Sequence, residues 1–218
     1  MIKKIVVIAA FAVLCAGVTS ANSTDLKVKL IDGEAEAVIR GLQARYESMN
    51  SLSANFTEEV FYEAVNQGDV ATGRVYLKRP GKMRWNYVEP EAEEVVSDAK
   101  TFWVYQPELN QVLVTPATGG HASGEVMDFL GDMVDIEAKF KVKVITSKEV
   151  ELTPKGSNDT LKKLRLTFDK DFVISKAIVR DSFGGRTTIT FRNVLINPKL
   201  SDELFIFKIP KGVNIVRP

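Results

Sequence analysis

The chain has 218 residues, 45% of them apolar and 26% charged, with 29 Lys and Arg against 28 Asp and Glu. This composition is that of a globular protein with enough apolar residues for one sizeable core. A nucleic-acid-binding protein usually carries a basic surplus, so the balanced charge argues against that class and no nucleic-acid partner is expected.

Residues 1–21 have the features of a secretory signal peptide. Lys3 and Lys4 precede an uncharged apolar run from residue 5 to about residue 18, and small residues follow. This pattern predicts cleavage between about residues 20 and 23. The run is shorter than the ~20 apolar residues of a membrane span, so an uncleaved anchor is the less favoured alternative.

The sequence contains a single cysteine, Cys15. Leu14 precedes it where a lipoprotein signal needs a small residue, so we do not expect Cys15 to be lipid-modified. After cleavage, residues 22–218 have no cysteine and therefore no disulfide, thiolate nucleophile or Cys-ligated metal. We expect these residues to form one domain that is stabilised by its core.

An amphipathic helix is predicted over residues 34–49, where apolar residues recur at the spacing of one helical face. Glu34 and Glu36 would lie in its first turn, where the helix dipole favours acidic side chains. The polar residues 22–33 are predicted to be a short helical turn or a loose arm.

From Leu52 onward the apolar period changes to two, which is typical of strands. Roughly eleven or twelve short strands of ordinary length are predicted, the last of them being ELFIFKIP at residues 203–210. Turn sequences such as Pro80-Gly81 and Gly184-Gly185 separate them. Because most connections are short, the strands should form antiparallel meanders.

The stretch SGEVMDFLGDMVDI, residues 123–136, interrupts the strand pattern with apolar residues at helical spacing. The predicted fold is therefore mainly β with helices (α+β). It is an incomplete, curved antiparallel β-barrel of about eleven strands, whose concave face is covered by an amphipathic helical lid over an apolar cavity. Two short helices would cover such a face incompletely, which leaves room for an apolar ligand.

The titratable residues give little support for catalysis. His121 is the single histidine, and its segment GGHASG lacks the glycine two residues before Ser123 that a nucleophile elbow requires. One histidine cannot supply a zinc site, and the Gly-Gly pairs do not match phosphate-binding loops. We therefore expect a protein that is not an enzyme and has neither cofactor nor metal; a secreted hydrolase is the disfavoured alternative.

Residues 76–87, YLKRPGKMRWNY, combine four cations with aromatic side chains. On a strand Met83, Trp85 and Tyr87 share one face, and a second aromatic run spans residues 102–105. These side chains are ordinary core in one interpretation and the wall of a ligand cavity in another. The cavity candidates are Phe56, Met83, Trp85, Tyr87, Trp103 and Tyr105 on strands, with Val126, Phe129, Leu130 and Met133 on the second helix.

Four segments resemble the LolA family of periplasmic lipoprotein carriers: YLKRPGKMRWNYVEP, VVSDAKTFWVYQPELNQV, ELTPKGSNDTLKKLRLTFDKD and FIFKIPKGV. The resemblance covers the chain after the signal peptide. It implies an incomplete barrel with a helical lid, and binding without catalysis in the periplasm of a Gram-negative bacterium. It also implies a monomer with three kinds of partner: acylated lipoproteins as cargo, the inner-membrane ABC transporter LolCDE as donor, and LolB or an equivalent as outer-membrane acceptor.

The resemblance also implies a role for Arg79. In the family, the arginine of the Lys-Arg-Pro motif hydrogen-bonds backbone carbonyls of the lid helices in the closed state. Arginine suits this task because its guanidinium offers a fixed fork of donors and stays charged; the alternative is a solvated cation at a strand end. The alternative function is a lipid-sensing regulatory module of the RseB type, which would normally carry an extra domain.

Overall fold

The computed structural model describes residues 23–63, 66–117, 136–156 and 161–217, with the backbone alone for residues 23–32. The elements in chain order are helix α1 (Ser23–Glu47), β1 (Ser51–Tyr62), β2 (Gln67–Lys78), β3 (Lys82–Glu89), β4 (Glu93–Asp98), β5 (Thr101–Gln106), β6 (Gln111–Pro116), helix α2 (Ile136–Lys139), β7 (Phe140–Thr146), β8 (Glu149–Pro154), β9 (Leu161–Phe168), β10 (Ile174–Asp181), β11 (Gly185–Ile196), a 3₁₀ helix (Asp202–Phe205) and β12 (Asn214–Val216).

The strands form one 12-stranded sheet in the order β12-β6-β5-β4-β3-β2-β1-β11-β10-β9-β8-β7. Every pairing is antiparallel except that of β12, which runs parallel to β6. Register shifts interrupt the ladders of β1 and β2, between Ser53 and Asn55 in β1 and between Thr72 and Gly73 in β2. Such irregularities bend a strand. The predicted mainly-β, open, curved antiparallel architecture is confirmed.

The face of the sheet that carries Leu52, Ala54, Phe56 and Trp85, called here the inner face, forms the main core together with α1. The helix contributes its apolar side chains Val38, Leu42 and Tyr46 to this core. We call the opposite side of the sheet the outer face. Among the described residues no helix has the length and apolar content needed to cross a membrane.

Helix α1 is anchored to the turn between β9 and β10. A Cβ on Gly41 would lie 2.1 Å from Cζ of Phe172, so the absent side chain is what lets this ring pack on the helix. Arg45 Nε donates to the Asp171 carbonyl at 2.7 Å, and the Tyr46 hydroxyl accepts from the Ile174 amide at 3.0 Å. Burial raises the pKa of Tyr46 to about 12, so the phenol stays neutral.

The helix begins earlier than the sequence predicted. It starts at Ser23 instead of residue 34 and runs through the stretch expected to be a turn or loose arm. That stretch contains no proline and a single glycine, Gly33. Backbone propensity therefore permits a helix there even without a clear apolar stripe.

The predicted strand at residues 203–210 is wrong. Residues 202–205 form the 3₁₀ helix, and the Ser201 hydroxyl caps it by accepting from the Glu203 amide. The apolar alternation has a different cause: Phe205 is buried against the outer face, and Phe207 packs on aromatic rings of β5. The chain then reaches β12, a strand that the sequence did not predict.

Candidate ligand-binding site

Register assigns the predicted cavity residues of β3 to the inner face. Residues directly opposite each other on neighbouring strands point to the same side of a sheet. Trp85 lies opposite Val75 and Val95, and Val95 lies opposite Val104. Trp85 is fully buried, whereas Met83 and Tyr87 are half-buried and pack against the same core.

Four aromatic side chains, Phe56, Trp85, Tyr87 and Phe191, form a continuous cluster on the inner face. The ring centroid of Phe56 lies 4.7 Å from that of Trp85 and 4.9 Å from that of Tyr87, both edge to face. Trp85 stacks on Tyr87 at 6.5 Å and meets Phe191 at 6.3 Å. This aromatic cluster is an apolar surface of flat rings, the kind that lines many ligand pockets.

Gly73 is what allows the rings of β1 and β3 to meet across β2. It lies between Phe56 and Tyr87 in the ladder. A Cβ at this position would stand 2.8 Å from Cζ of Phe56 and 2.1 Å from the Asn86 carbonyl oxygen. The missing side chain therefore leaves space for the Phe56 ring to reach over β2 to Tyr87.

The inner face beneath α1 is closed in this conformation. The cavity between the helix and the sheet measures about 10 Å³ and is lined by Tyr46, Leu52, Val75, Leu77, Ile174, Phe191 and Val194. That volume holds at most about one water molecule. An acyl chain could therefore enter here only if α1 or the side chains under it moved.

Arg79 connects the end of β2 to the end of α1. Its Nη1 donates to the carbonyl of Glu47, the last residue of the helix, at 3.2 Å, and its backbone amide donates to the Asn50 carbonyl at 2.9 Å. Nη2 is buried without a hydrogen-bond partner among the described residues. The guanidinium thus contacts a helix-end carbonyl and keeps a further donor available.

The other cations of residues 76–87 hold the carboxyl-terminal segment on the outer face. Lys78 Nζ donates to the Leu200 carbonyl at 2.8 Å and to Asp202 at 2.7 Å, and Lys82 lies 3.0 Å from the same carboxylate. These two ammonium groups lower the pKa of Asp202. Arg84 donates to the Leu204 carbonyl at 3.1 Å and pairs with Glu94.

Trp103 and Tyr105 do not line the same surface as Trp85, and that prediction is wrong. Trp103 lies opposite Val96, which lies opposite Arg84, so all three are on the outer face. Trp103 and Tyr105 pack instead against Phe207, with ring centroids 6.2 and 5.5 Å apart. They help to hold the carboxyl-terminal segment.

Sequence reasoning missed a carboxyl group on the inner face. Glu58 follows Phe56 on the same side of β1 and accepts a hydrogen bond from the Tyr87 hydroxyl at 2.8 Å. Burial raises the pKa of Glu58, and the nearby Glu93 adds to the effect. Burial and the Glu58 charge also raise the pKa of Tyr87. The sequence signal that could have revealed it is an acidic residue at the next alternate position after Leu52, Ala54 and Phe56, which share one face of β1.

The remaining predicted site residues, Val126, Phe129, Leu130 and Met133, lie outside the described residues, as does His121. Within the described ranges, no group of three or more His, Cys, Asp or Glu side chains is placed to hold a metal ion.

The sequence comparisons with known proteins agree on one family. The family model described as outer membrane lipoprotein carrier protein LolA matches residues 47–208. An outer-membrane lipoprotein carrier protein of Chromobacterium violaceum is 34% identical over 190 residues, covering 84% of this chain and 88% of that protein. That of Methylobacillus flagellatus is 29% identical over 182 residues, covering 82% and 88%. The crystal structure of an uncharacterized conserved protein from Thermus thermophilus has a TM-score of 0.51 at 14% identity, covering 84% of this chain and 99% of that one, and shows the fold alone.

Proposed function

Because the chain belongs to the LolA family of outer-membrane lipoprotein carriers, we propose that it binds the acyl chains of lipoproteins and carries them through the periplasm. The observation that carries this proposal is the aromatic cluster on the inner face. It shares one core with the apolar side chains of helix α1, whose end is tied by Arg79. Such a surface can bind hydrocarbon chains by apolar burial alone, with no chemical reaction.

The energetics favour a cover that opens for cargo. Burial of acyl chains contributes about 0.8 kcal/mol per methylene, so ten methylenes contribute about 8 kcal/mol. The single bond from Arg79 to the Glu47 carbonyl contributes about 1.5–3 kcal/mol, as charged hydrogen bonds do. Acyl burial can therefore displace this contact, and the contact can re-form when cargo leaves.

Met83 suits a surface that must adapt to different chains. It is half-buried beside the aromatic cluster, and methionine side chains adjust their shape at low cost. We infer that the inner face rearranges around cargo and that Arg79 is the latch that favours the closed, empty state.

The proposed path runs between two membranes. Cargo comes from the inner-membrane transporter LolCDE and passes to LolB or an equivalent acceptor in the outer membrane, with the carrier acting as a monomer. Membership of the family supports these proposed partners and the proposed periplasmic location.

Co-purification tests the proposed function. The chain is expressed with a tag in a Gram-negative host, isolated from the periplasmic fraction, and its bound material is identified by mass spectrometry. We expect acylated lipoproteins in a soluble complex. Protein that carries no acylated material, even when its donor transporter is overproduced, would contradict the carrier role.

A matched pair of variants locates the binding surface. Met83→Gln places a polar side chain on the inner face, whereas Val70→Gln makes a similar change at an exposed outer-face position. We expect Met83→Gln to lower the cargo recovered per mole of folded protein and Val70→Gln to leave it unchanged. Equal recovery from both variants would place the acyl site elsewhere.

A further inference from the structure

The turn between β10 and β11 holds an aromatic side chain out in solvent. Phe183 is 81% exposed, the highest value among the large apolar side chains of the described residues. The Asp181 carboxylate accepts hydrogen bonds from the Phe183 and Gly185 amides, both at 2.7 Å. The Glu63 amide donates to the Gly184 carbonyl at 3.4 Å and ties the turn to the end of β1. The backbone of the turn is therefore held in place while the ring remains exposed.

A row of cations crosses the sheet beside this turn. Arg180 of β10 lies directly opposite Arg186 of β11 on one side and directly opposite Lys163 of β9 on the other. All three side chains are exposed, and the register places them on the outer face. Like charges that lie directly opposite each other in a sheet are destabilising. An anionic partner would remove this cost.

Neighbouring acids compensate the row only in part. Arg180 lies 3.5 Å from Glu63, and Lys163 lies 2.9 Å from Glu151. Both cations are half-exposed, and ion pairs of exposed side chains contribute little to stability. Arg186 lies over an aromatic ring of β1 and forms no ion pair within the described ranges. An anionic ligand can therefore compete for all three cations.

The end of the sheet that carries this turn is divided by charge. The acidic half consists of the β3–β4 and β5–β6 turns and the strand ends beside them, with Glu89, Glu91, Glu93 and Glu108. In the other half, exposed lysines follow β8 and begin β9, next to the row of cations. A negatively charged plane would attract this half and repel the acidic one, and would thus bind the molecule in one orientation. We call the cations of this half the basic rim: Lys155, Lys162, Lys163, Arg180 and Arg186.

We propose that the basic rim and Phe183 dock the protein on the surface of a bilayer that contains anionic phospholipids. The cations contact the lipid phosphate groups, and the Phe183 ring enters the boundary between head groups and acyl chains. Proteins bind such boundaries through exposed apolar side chains that lie beside basic ones. The docked end is opposite to the end of β2 where Arg79 contacts α1, so docking leaves that contact accessible.

Vesicle sedimentation tests this docking surface. Protein isolated from the periplasmic fraction is mixed with vesicles of phosphatidylcholine alone, or of phosphatidylcholine with an equal amount of phosphatidylglycerol, and the bound fraction is measured. A basic side chain near an anionic surface strengthens binding about fivefold, so the three cations of the row should favour the anionic vesicles by about 100-fold. This preference should shrink as added salt screens the charges.

A matched pair of double variants tests the basic rim. Arg180→Gln combined with Arg186→Gln should weaken binding to the anionic vesicles by about 25-fold. Lys100→Gln combined with Lys148→Gln removes the same charge from exposed positions at the opposite end of the sheet and should leave binding unchanged. All four side chains are exposed, so we expect both double variants to fold.

A second pair tests the inserted ring. Phe183→Ala should weaken binding to the anionic vesicles about tenfold, because the apolar contact with the bilayer is lost. Leu109→Ala shortens a side chain that is 64% exposed in the acidic half and should leave binding unchanged.

Equal binding of the wild type to both kinds of vesicle would overturn the inference, as would an unchanged affinity in the Arg180→Gln, Arg186→Gln variant. Absence of vesicle binding would overturn it as well, and would leave an acidic protein surface as the partner of the basic rim. None of these results would affect the carrier function, because the cargo recovered with the protein is measured separately.

Discussion

Removal of the Arg79 side chain should loosen the end of α1. The bond from Nη1 to the Glu47 carbonyl is 3.2 Å long, at the long end of the normal range, and Arg79 is half-buried. We therefore take the lower end of the range for charged hydrogen bonds, about 1.5 kcal/mol, which corresponds to about a tenfold change in population. Leucine also removes the unpartnered Nη2, so the net loss should not exceed this figure.

Hydrogen–deuterium exchange measures this loosening directly. In Arg79→Leu we expect amides of the last turn of α1, near residues 44–49, to exchange about tenfold faster than in the wild type. Arg74→Leu is the matched control, because Arg74 lies over the Tyr76 ring on the outer face, whereas α1 packs on the inner face. If these amides exchange as slowly in Arg79→Leu as in the wild type, Arg79 is not the latch of α1.

The same variant should change transfer more than loading. If Arg79 stabilises the closed, empty carrier, its loss makes release less favourable while leaving acyl burial intact. We expect Arg79→Leu to retain cargo and to deliver it poorly to the outer-membrane acceptor. Normal delivery would show that closure does not depend on Arg79.

Four substitutions test the inner face and the helix that packs on it. Glu58→Gln should raise the free energy of unfolding at pH 7. The gain should vanish as the pH falls through the raised pKa towards 4.5, because the wild-type carboxyl then becomes neutral as well; an equal gain at all pH values in urea titrations would contradict this. Gly73→Ala should lower the free energy of unfolding by about 1–3 kcal/mol, because the added Cβ meets the Asn86 carbonyl. Gly33→Ala should raise it by about 0.5–1 kcal/mol, because no atom lies within 4 Å of the added Cβ. Tyr46→Phe should lower the free energy of unfolding by about 1–3 kcal/mol, because it leaves the buried Ile174 amide unpaired. An unchanged midpoint of thermal unfolding would show that water replaces the hydroxyl.

The alternation of side chains predicted the inner face where polar and apolar residues separate clearly. In β3, Met83, Trp85 and Tyr87 alternate with polar residues, and the structure places all three on the side that packs against the core. Strand β5 carries no such contrast, because Phe102 and Val104 are apolar on the inner face and Trp103 and Tyr105 are aromatic on the outer face. Periodicity cannot decide which side of such a strand faces the core.

The outer aromatic rings could not be assigned without the carboxyl-terminal segment. Phe207 covers them from a stretch that resembles a strand in sequence but makes no ladder. The contact depends on residues about 100 positions apart and on the ion pairs of Lys78 and Lys82 with Asp202. Local pattern holds no information on such a distant pairing.

The open order of the sheet has a mechanical consequence. The terminal strands β7 and β12 are not paired with each other in the described chain, so its strands do not close into a ring. In a closed barrel, strand number and shear fix the circumference. An open sheet can instead change its curvature while every ladder hydrogen bond stays intact. For the proposed carrier, we expect bending of this one continuous sheet to accommodate cargoes of different bulk.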